Sequence, residues 1–541
     1  MVNPSTDLAV EISAHLLDAG TKHVVVCPGS RSAPLSWQFA SLASEGLITL
    51  HTRIDEREAG FLALGLAKAT GKPVPVVVTS GTAVANLLPA VAEAHHSGIP
   101  LVVLSADRPE KVRGHGAPQT TLQNGMFANF VKATVDTSVP TPKIAEALAL
   151  ALTNHCGPIQ INAQFDMPLM PDDITPHIPK IKNFEIENND PNRQTLELHP
   201  HGVLVIGDVK SSKYVDQLKQ LAKNAGYPII WEPTAQVQDS EIALCHGSLL
   251  LQTGKTPTPE VVISAGQIGL SRSVLGLLKS AKQHIAIHLP TASSDLPDPV
   301  LSADQILNFV PEVKNQIDSA WLSSWQSLDK NAHEVINQNL SGETLTGPSA
   351  AVSIWKLLPN EANLFISPSW PVRHIEMYGN TREGLATFGN RGVNGIDGLI
   401  SSAAGVALAK KSRTYLLIGD IAFLHGMGGL NVAEPNQIPD LTVVVLDNDG
   451  SGIFSQLEQG EHKYQKHFEQ VFGTPHGKDL WVIAESLGVP AVRVTTQSEL
   501  TSALNRTNKI PGMHVIVCTT GSRGDEQAQI NQILKEVTEA L

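Results

Sequence analysis

The stretch TYLLIGDIAFLHGMGGLNVAEPNQIPDLTVVVLDNDG, residues 414–450, holds two apolar runs of strand length, 415–418 and 442–446, each closed by small and acidic residues. Gly419-Asp420 ends the first and Asp447-Asn448-Asp449-Gly450 the second, with Asp420 and Asn448 28 residues apart. That spacing suits successive strand ends of a βαβ unit, and in such units ligands bind beyond the carboxyl ends of the strands. A carboxylate, an amide oxygen and a backbone carbonyl then point at one spot. Hard oxygen ligands that leave room for water and phosphate are what Mg²⁺ requires. Taken alone, Asp-Asn-Asp-Gly reads equally well as a turn.

Outward from this stretch, short runs of Val, Ile and Leu alternate with segments of helical period, the pattern of parallel sheets covered by helices. Strands are expected at 364–367 and 514–518 beside the two above, at 203–206, 229–231, 261–264 and 284–288 in the middle of the chain, and at 24–27, 76–79, 101–105 and 159–162 near its start. Leu8, Ile12 and Leu16 share a helix face, with Ser5 or Thr6 as cap and Gly20 after it. Further helices are expected over 58–69 and 82–95, ending near Gly71 and Gly98. Residues 171–198, rich in Pro, Asp and Asn, read as a surface linker, and 338–349 as a second boundary. The fold class is α/β, with three doubly wound domains of mainly parallel sheets over 1–180, 195–340 and 346–541.

Composition excludes several functions. The 541 residues are 42% hydrophobic and 17% charged, which fits a globular protein and not a disordered chain or a fibre. The net charge of −13 and the lack of a basic run argue against nucleic acid or an anionic membrane as partner. No apolar stretch approaches the 18 or more residues of a membrane span. Cys27, Cys156, Cys245 and Cys518 are too scattered for a zinc or redox pattern and read as reduced thiols. With no basic leader, and Asp7 and Glu11 where a signal peptide would be apolar, a cytoplasmic location is expected. Other motifs fail on one position each. Thr253-Gly254-Lys255-Thr256 lacks the P-loop's first glycine, because Leu249 stands there. Gly426-Met427-Gly428 has Asn431 at the third glycine of a dinucleotide fingerprint, and reads as a helix start. His333-Glu334 has Asn337 where a zincin needs histidine, so an exposed helix face is expected. His95-His96 and His374 with Glu376 lack metal-ligand spacing and read as surface residues.

The first unit has strand ends of the same kind, Pro28-Gly29-Ser30-Arg31 and Thr79-Ser80-Gly81-Thr82. Gly-Asp followed about 27 residues later by an Asn pair resembles the Mg²⁺-diphosphate motif of thiamine diphosphate enzymes. More narrowly, the chain resembles the 2-succinyl-5-enolpyruvyl-6-hydroxy-3-cyclohexene-1-carboxylate synthases of menaquinone biosynthesis. PGSRSAPL (28–35), DEREAGFLALGLAK (55–68), TSGTAVANLLPAVAEA (79–94), SADRP (105–109), SPSWPVR (367–373) and NRGVNGIDGLISSAAG (390–405) carry that likeness, with Asp420 and 448–454. The middle unit adds little.

The resemblance implies thiamine diphosphate and Mg²⁺ (or Mn²⁺) as cofactors, bound between the first domain of one subunit and the third of another, hence a homodimer or homotetramer. Asp420, Asn448 and Gly450 are implied as metal ligands. Ile396 is the implied wedge that bends the cofactor, with Ile453 and Phe454 against its rings. Glu56 is the implied catalytic acid, sharing a proton with the aminopyrimidine nitrogen, although Asp55-Glu56-Arg57 alone reads as a solvated cluster at a helix start. The implied reaction is decarboxylation of 2-oxoglutarate and 1,4-addition of the resulting succinyl carbanion equivalent to isochorismate. Both substrates are dianions, which guanidinium forks suit better than lysine. Arg31, Arg108, Arg373 and Arg391 sit in the matching segments, with Ser30, Ser369 and Gln119 as hydrogen-bonding neighbours; a surface salt bridge is the alternative for any one arginine.

Three positions depart from the family pattern. Asp447-Asn448 stands in place of the usual Asn pair, and Ile421 follows Asp420 where Gly is common. Pro118, before Gln119, has neither amide side chain nor backbone donor, which removes one substrate hydrogen bond available to relatives. The rival readings are another thiamine diphosphate carboligase or decarboxylase acting on pyruvate, which needs fewer arginines, and a catalytically silent nucleotide-binding assembly protein of the same fold class.

Overall fold

The computed structural model describes residues 3–541 except 154, 175, 180–193, 315–316, 433 and 435, and the chain divides into two compact units. The first comprises Met1–Asn189, Asn390–Lys411 and Gly426–Pro439. Its strands are β1 (His23–Val26), β2 (Thr49–Thr52), β3 (Val74–Val78), β4 (Leu101–Asp107), β5 (Thr134–Thr137) and β6 (Ile159–Gln164), all parallel in the order β2-β1-β3-β4-β6-β5. β1, β3 and β4 are buried along their whole length, as strands covered on both faces must be, and each carries a continuous apolar run, 24–26, 74–78 and 101–104. The helix Glu56–Thr70 begins at Asp55, whose carboxylate accepts from the backbone N–H of Arg57 and Glu58, and ends at Gly71 in the left-handed conformation (φ 65°). The helix Leu399–Lys410 lies against it backbone to backbone. A Cβ on Gly65 would stand 2.1 Å from the Ser402 carbonyl oxygen, and one on Gly405 2.5 Å from that of Leu62; only glycine permits that approach.

The second unit comprises Asp190–Gly389, Ser412–His425 and Asp440–Leu541. In chain order its strands are β7 (Thr195–Leu196), β8 (Gly202–Ile206), β9 (Ile229–Trp231), β10 (Val261–Ala265), β11 (Gln283–Ile287), β12 (Gln305–Leu307), β13 (Glu312–Val313), β14 (Asn363–Ile366), β15 (Ala386–Phe388), β16 (Thr414–Gly419), β17 (Leu441–Asp447), β18 (Ala491–Val494) and β19 (Met513–Thr519). They form a five-stranded sheet, β12-β11-β10-β8-β9, a six-stranded sheet, β15-β14-β16-β17-β19-β18, and the pair β13-β7, all parallel. One hydrophobic core runs through both large sheets of this unit, from Leu204 and Ile263 to Leu417 and Ile516.

Every strand expected from sequence is present within two residues of its bounds. Three expectations need correction. The first helix, Pro4–Asp18, is capped by Asn3, not Ser5 or Thr6; the Asn3 side chain accepts from the Ser5 N–H and Pro4 takes the first helical position, where it loses no bond. The helix expected over 82–95 is two helices, Thr82–Ala85 and Leu88–Ser97, because the ring of Pro89 would clash with the carbonyl four residues back in a continuous one. Gly426-Met427-Gly428 ends the helix Asp420–Gly426 and passes into a 3₁₀ turn, Met427–Leu430. Residues 175 and 180–193 of the expected linker lie outside the described residues.

Candidate active site

In the second unit the site is built at the ends of β16 and β17. Asp420, 3% exposed, opens the short helix after β16, and its Oδ1 accepts from the Ile421 N–H at 2.6 Å. Its Oδ2 accepts from the Gly450 N–H at 2.8 Å, which ties the two strand ends together. The turn after β17 uses positive φ at Asp449 (56°) and Gly450 (136°), and a Cβ on Gly450 would lie 2.3 Å from the Gly473 carbonyl oxygen. Asn448 donates its Nδ2 to Glu526 Oε2 at 2.9 Å. Its Oδ1 is buried with no hydrogen-bond partner among the described residues, at a cost that a bound cation would relieve. Asp420 and Asn448 therefore fit a hard divalent ion, by the chemistry of the donors and by that orphaned oxygen.

Sequence reading missed His476 here. Its Nε2 is 3.4 Å from Asp420 Oδ2 and 3.5 Å from Asp447 Oδ1, and its Nδ1 is 3.7 Å from Asp449 Oδ1. The Asp420 carboxylate, 3.4 Å away, raises the imidazole above its ordinary range, and burial followed by the charge of Asp420 raises the Asp447 carboxyl. His476 lies 28 residues past Asn448 in a loop with no motif of its own, so only the fold brings it in. A cavity of about 620 Å³ opens beside it, lined by Asp447, Asn448, Arg493 and Arg523 among others. Phe454 is half-buried, its ring 5.7 Å from that of Phe472, and Ile453 is partly buried.

Ser369, at φ 70°, precedes the helix Trp370–Tyr378 and accepts through its carbonyl from Arg373 Nη1 at 2.9 Å. Arg373 Nη2 also reaches the Leu270 carbonyl at 3.4 Å. His374 and Glu376 are not surface residues: they are 0% and 5% exposed, and His374 meets Glu526 Oε1 at 2.9 Å. His333 likewise is half-buried, 3.1 Å from His246, and only Glu334 has the expected exposure.

In the first unit Glu56 is the first residue of its helix and half-buried, with Oε2 accepting from Asn86 Nδ2 at 3.1 Å. Two residues on, Glu58 is 1% exposed and accepts from Ser401 Oγ at 2.6 Å and Arg57 Nη2 at 3.2 Å. Burial raises its carboxyl above the usual range despite those bonds. Sequence reading did not single it out.

Arg31 and Arg108 follow the ends of β1 and β4. Arg31 donates to the Phe165 carbonyl at 2.8 Å; Arg108 donates to Ser80 Oγ and the Gln119 carbonyl, each at 2.8 Å. Burial, and then the neighbouring charge of Arg108, hold the Arg31 guanidinium below its usual range. Among the described residues neither is in a salt bridge, which sets aside the surface-pair alternative for these two. Arg113 differs: it is bound to Asp107 at 2.9 Å and Asp136 at 2.7 Å. Ser30 and Gln119 are exposed, Gln119 at φ 52°. Arg391 is buried and donates to the Asn394 side chain, and Ile396, half-buried, lies five residues beyond it.

Comparison with known proteins places these residues in context. Residues 7–126 match the thiamine pyrophosphate enzyme N-terminal TPP-binding domain and residues 370–518 the C-terminal TPP-binding domain. The chain is 37% identical to the 2-succinyl-5-enolpyruvyl-6-hydroxy-3-cyclohexene-1-carboxylate synthase of Thermobifida fusca, over 93% of this chain and 94% of that one. It is 36% identical to the synthase of the same name from Kineococcus radiotolerans over the whole of both chains, and 33% identical to that of Enterococcus faecalis over 98% and 96%. A solved chain from Mycobacterium smegmatis, assigned as a thiamin diphosphate-dependent enzyme, superposes with a TM-score of 0.67 at 16% identity, covering 95% of this chain and 99% of that one. That last likeness speaks to the fold.

Proposed function

The chain belongs to the family of 2-succinyl-5-enolpyruvyl-6-hydroxy-3-cyclohexene-1-carboxylate synthases, and from that premise we propose how its residues divide the work. It is a thiamine diphosphate-dependent transferase of menaquinone biosynthesis, which decarboxylates 2-oxoglutarate and adds the succinyl group that remains to isochorismate. When bound, thiamine diphosphate supplies the nucleophilic carbon and the electron sink for decarboxylation. Asp420, Asn448 Oδ1 and the Gly450 carbonyl hold Mg²⁺ (or Mn²⁺), while Ile396, Ile453 and Phe454 pack against the cofactor. Asn86 donates to Glu56 Oε2, and the Glu56 carboxyl exchanges a proton with the aminopyrimidine. Arg31, Arg108, Arg373 and Arg391 receive the substrate carboxylates, with Ser30, Ser369 and Gln119 completing the hydrogen bonds. The proposal keeps three domains at 1–180, 195–340 and 346–541, a cytoplasmic location, and assembly at least as a homodimer.

The observation that carries this division is the orphaned Asn448 oxygen beside the buried Asp420 carboxylate at neighbouring strand ends. The test follows CO₂ release from a set of 2-oxo acids, with and without isochorismate, before and after removal of thiamine diphosphate and divalent ions. Release from 2-oxoglutarate that needs both is expected. Full turnover after their removal, or pyruvate used as readily as 2-oxoglutarate, refutes the assignment. Among the described residues no helix is long and apolar enough to cross a membrane.

A further inference from the structure

Behind Asn448 the second unit holds a buried chain of polar groups with no evident part in the fold's periodicity. Glu526, 4% exposed on the helix Arg523–Ala540, accepts from Asn448 Nδ2 through Oε2 at 2.9 Å. Its other oxygen meets His374 Nε2 at 2.9 Å. His374 is fully buried and stacked on Trp370, ring centroids 5.2 Å apart and planes within 7°. The three side chains come from segments 78 and 152 residues apart in sequence, so no local turn explains their meeting.

Space has been left for the chain on both sides. A Cβ on Gly347 would stand 1.9 Å from Glu526 Oε1 and 2.9 Å from His374 Nε2. One on Gly452 would stand 2.8 Å from Asn448 Nδ2 and 3.3 Å from Glu526 Oε2. Neither glycine has positive φ, so backbone conformation does not require them; clearance does.

An amide can turn either end toward a neighbour, and a carboxylate can only accept. Glu526 Oε2 therefore selects the amide rotamer in which Asn448 presents nitrogen to it, and the oxygen is left on the opposite side. That oxygen is the buried Oδ1 without a partner among the described residues. We propose that Glu526, held in turn by His374, is a positioning residue for the divalent ion: it sets the orientation of the Asn448 amide so that Oδ1 faces the cation. The proposal rests on the reading of Asp420, Asn448 and Gly450 as the metal site. Outer-shell partners of this kind orient a ligand atom without touching the metal, and their loss costs about ten- to a hundredfold in metal affinity.

The test is Mn²⁺ binding to the full-length protein in the presence of thiamine diphosphate, followed by electron paramagnetic resonance. Glu526→Leu removes the acceptor and is expected to raise the Mn²⁺ Kd about ten- to a hundredfold. In turnover it should raise the Mg²⁺ concentration needed for half-maximal rate while leaving most of kcat at saturating Mg²⁺. Glu526→Gln keeps an oxygen for Asn448 and an amide to donate to His374, and should restore affinity close to wild type. Wild-type Mn²⁺ affinity in Glu526→Leu overturns the proposal, as does an equal loss in Glu526→Gln, which would assign the effect to charge or packing. If Glu526→Leu does not fold, Gly347→Ala, which displaces Glu526 without deleting a polar group, should weaken Mn²⁺ binding in the same direction; unchanged binding there overturns it. Asp420→Ala separates the two levels. If it binds Mn²⁺ like wild type, the metal site itself is misassigned; if it loses binding while Glu526→Leu does not, only the positioning role fails.

Discussion

Two six-stranded sheets in this chain share one strand order and differ in the charges that stand at corresponding carboxyl ends. The order β2-β1-β3-β4-β6-β5 of the first unit and β15-β14-β16-β17-β19-β18 of the second are the same permutation. Beyond β1 and β4 stand Arg31 and Arg108; beyond β16 and at the end of β17 stand Asp420, Asp447 and Asp449. Interior strands build the frame twice over, and the residues at each strand end or within five positions past it decide what it binds. Cations at one end suit carboxylate substrates. Oxygen donors at the other suit a metal ion, whose charge then accommodates a diphosphate that bare carboxylates would repel.

The harshest way to break this contrast is to remove the anionic end. Asp420→Ala deletes a proposed metal ligand and the bond that ties β16 to the Gly450 turn, and CO₂ release should fall to background at any Mg²⁺ concentration. Appreciable turnover in that variant would mean that the carboxylate end holds no metal. Next in size is Glu56→Gln, expected to lower turnover about 10²- to 10⁴-fold with cofactor binding retained, because the amide cannot exchange the proton. Near-normal rates would return Glu56 to the role of a solvated charge at a helix start.

The cationic end offers a sharper comparison, because it holds arginines of two kinds. Arg31 and Arg108 lean on carbonyls and a hydroxyl, whereas Arg113 is saturated by Asp107 and Asp136. Arg31→Ala and Arg108→Ala should each weaken apparent affinity for 2-oxoglutarate or isochorismate about ten- to a hundredfold, the loss of one charge-assisted bond to a carboxylate. Decarboxylation assayed without acceptor tells which substrate each one serves. Arg113→Ala should leave both affinities alone and cost about 3 kcal/mol of stability in denaturant titration, since it strands buried carboxylates. If all three variants shift affinity alike, ion pairing does not distinguish substrate arginines from structural ones.

The same contrast between interior and rim decides what was legible beforehand. Most central strands carry an apolar run, and all were readable to within two residues. Five of the six edge strands of the three large sheets, β2, β5, β12, β15 and β18, were not, because they are short and partly exposed and mix polar with apolar positions. The sixth, β9, is buried throughout and reads clearly as Ile-Ile-Trp. Among the candidate site residues, those inside contiguous motifs, Asp420, Asn448 and Glu56, could be singled out from sequence. His476, Glu526 and Glu58 did not, since each acquires its place only through packing of segments distant in sequence. His374 was misread as a surface residue for the same reason: its partner Glu526 is 152 positions away.

The smallest effect concerns Glu58, a buried carboxyl in the first unit that the contrast of strand ends leaves out. Burial raises it above the ordinary carboxylate range, so the folded chain binds this proton more tightly than the unfolded chain does. Stability from that source is complete below the unfolded pKa of about 4.3 and is lost as pH rises through the higher folded value. Depressed carboxyls act in the opposite sense. Burial alone would raise Asp136, but hydrogen bonds from Arg113, Gln164 and Asn162 bring it below its usual range, and its contribution is lost as pH falls. The two are separated by comparing wild type with Glu58→Gln, which cannot ionise and still offers an oxygen to Ser401 Oγ. The variant should gain stability relative to wild type as pH rises from about 4.3, with a slope no steeper than about 1.4 kcal/mol per pH unit, and the difference should level off once Glu58 is ionised in both states. Denaturant titrations at half-unit pH steps resolve this. A difference that stays flat across the range would show that Glu58 is no harder to ionise in the folded chain than in the unfolded one, and that its bond to Ser401 outweighs its burial.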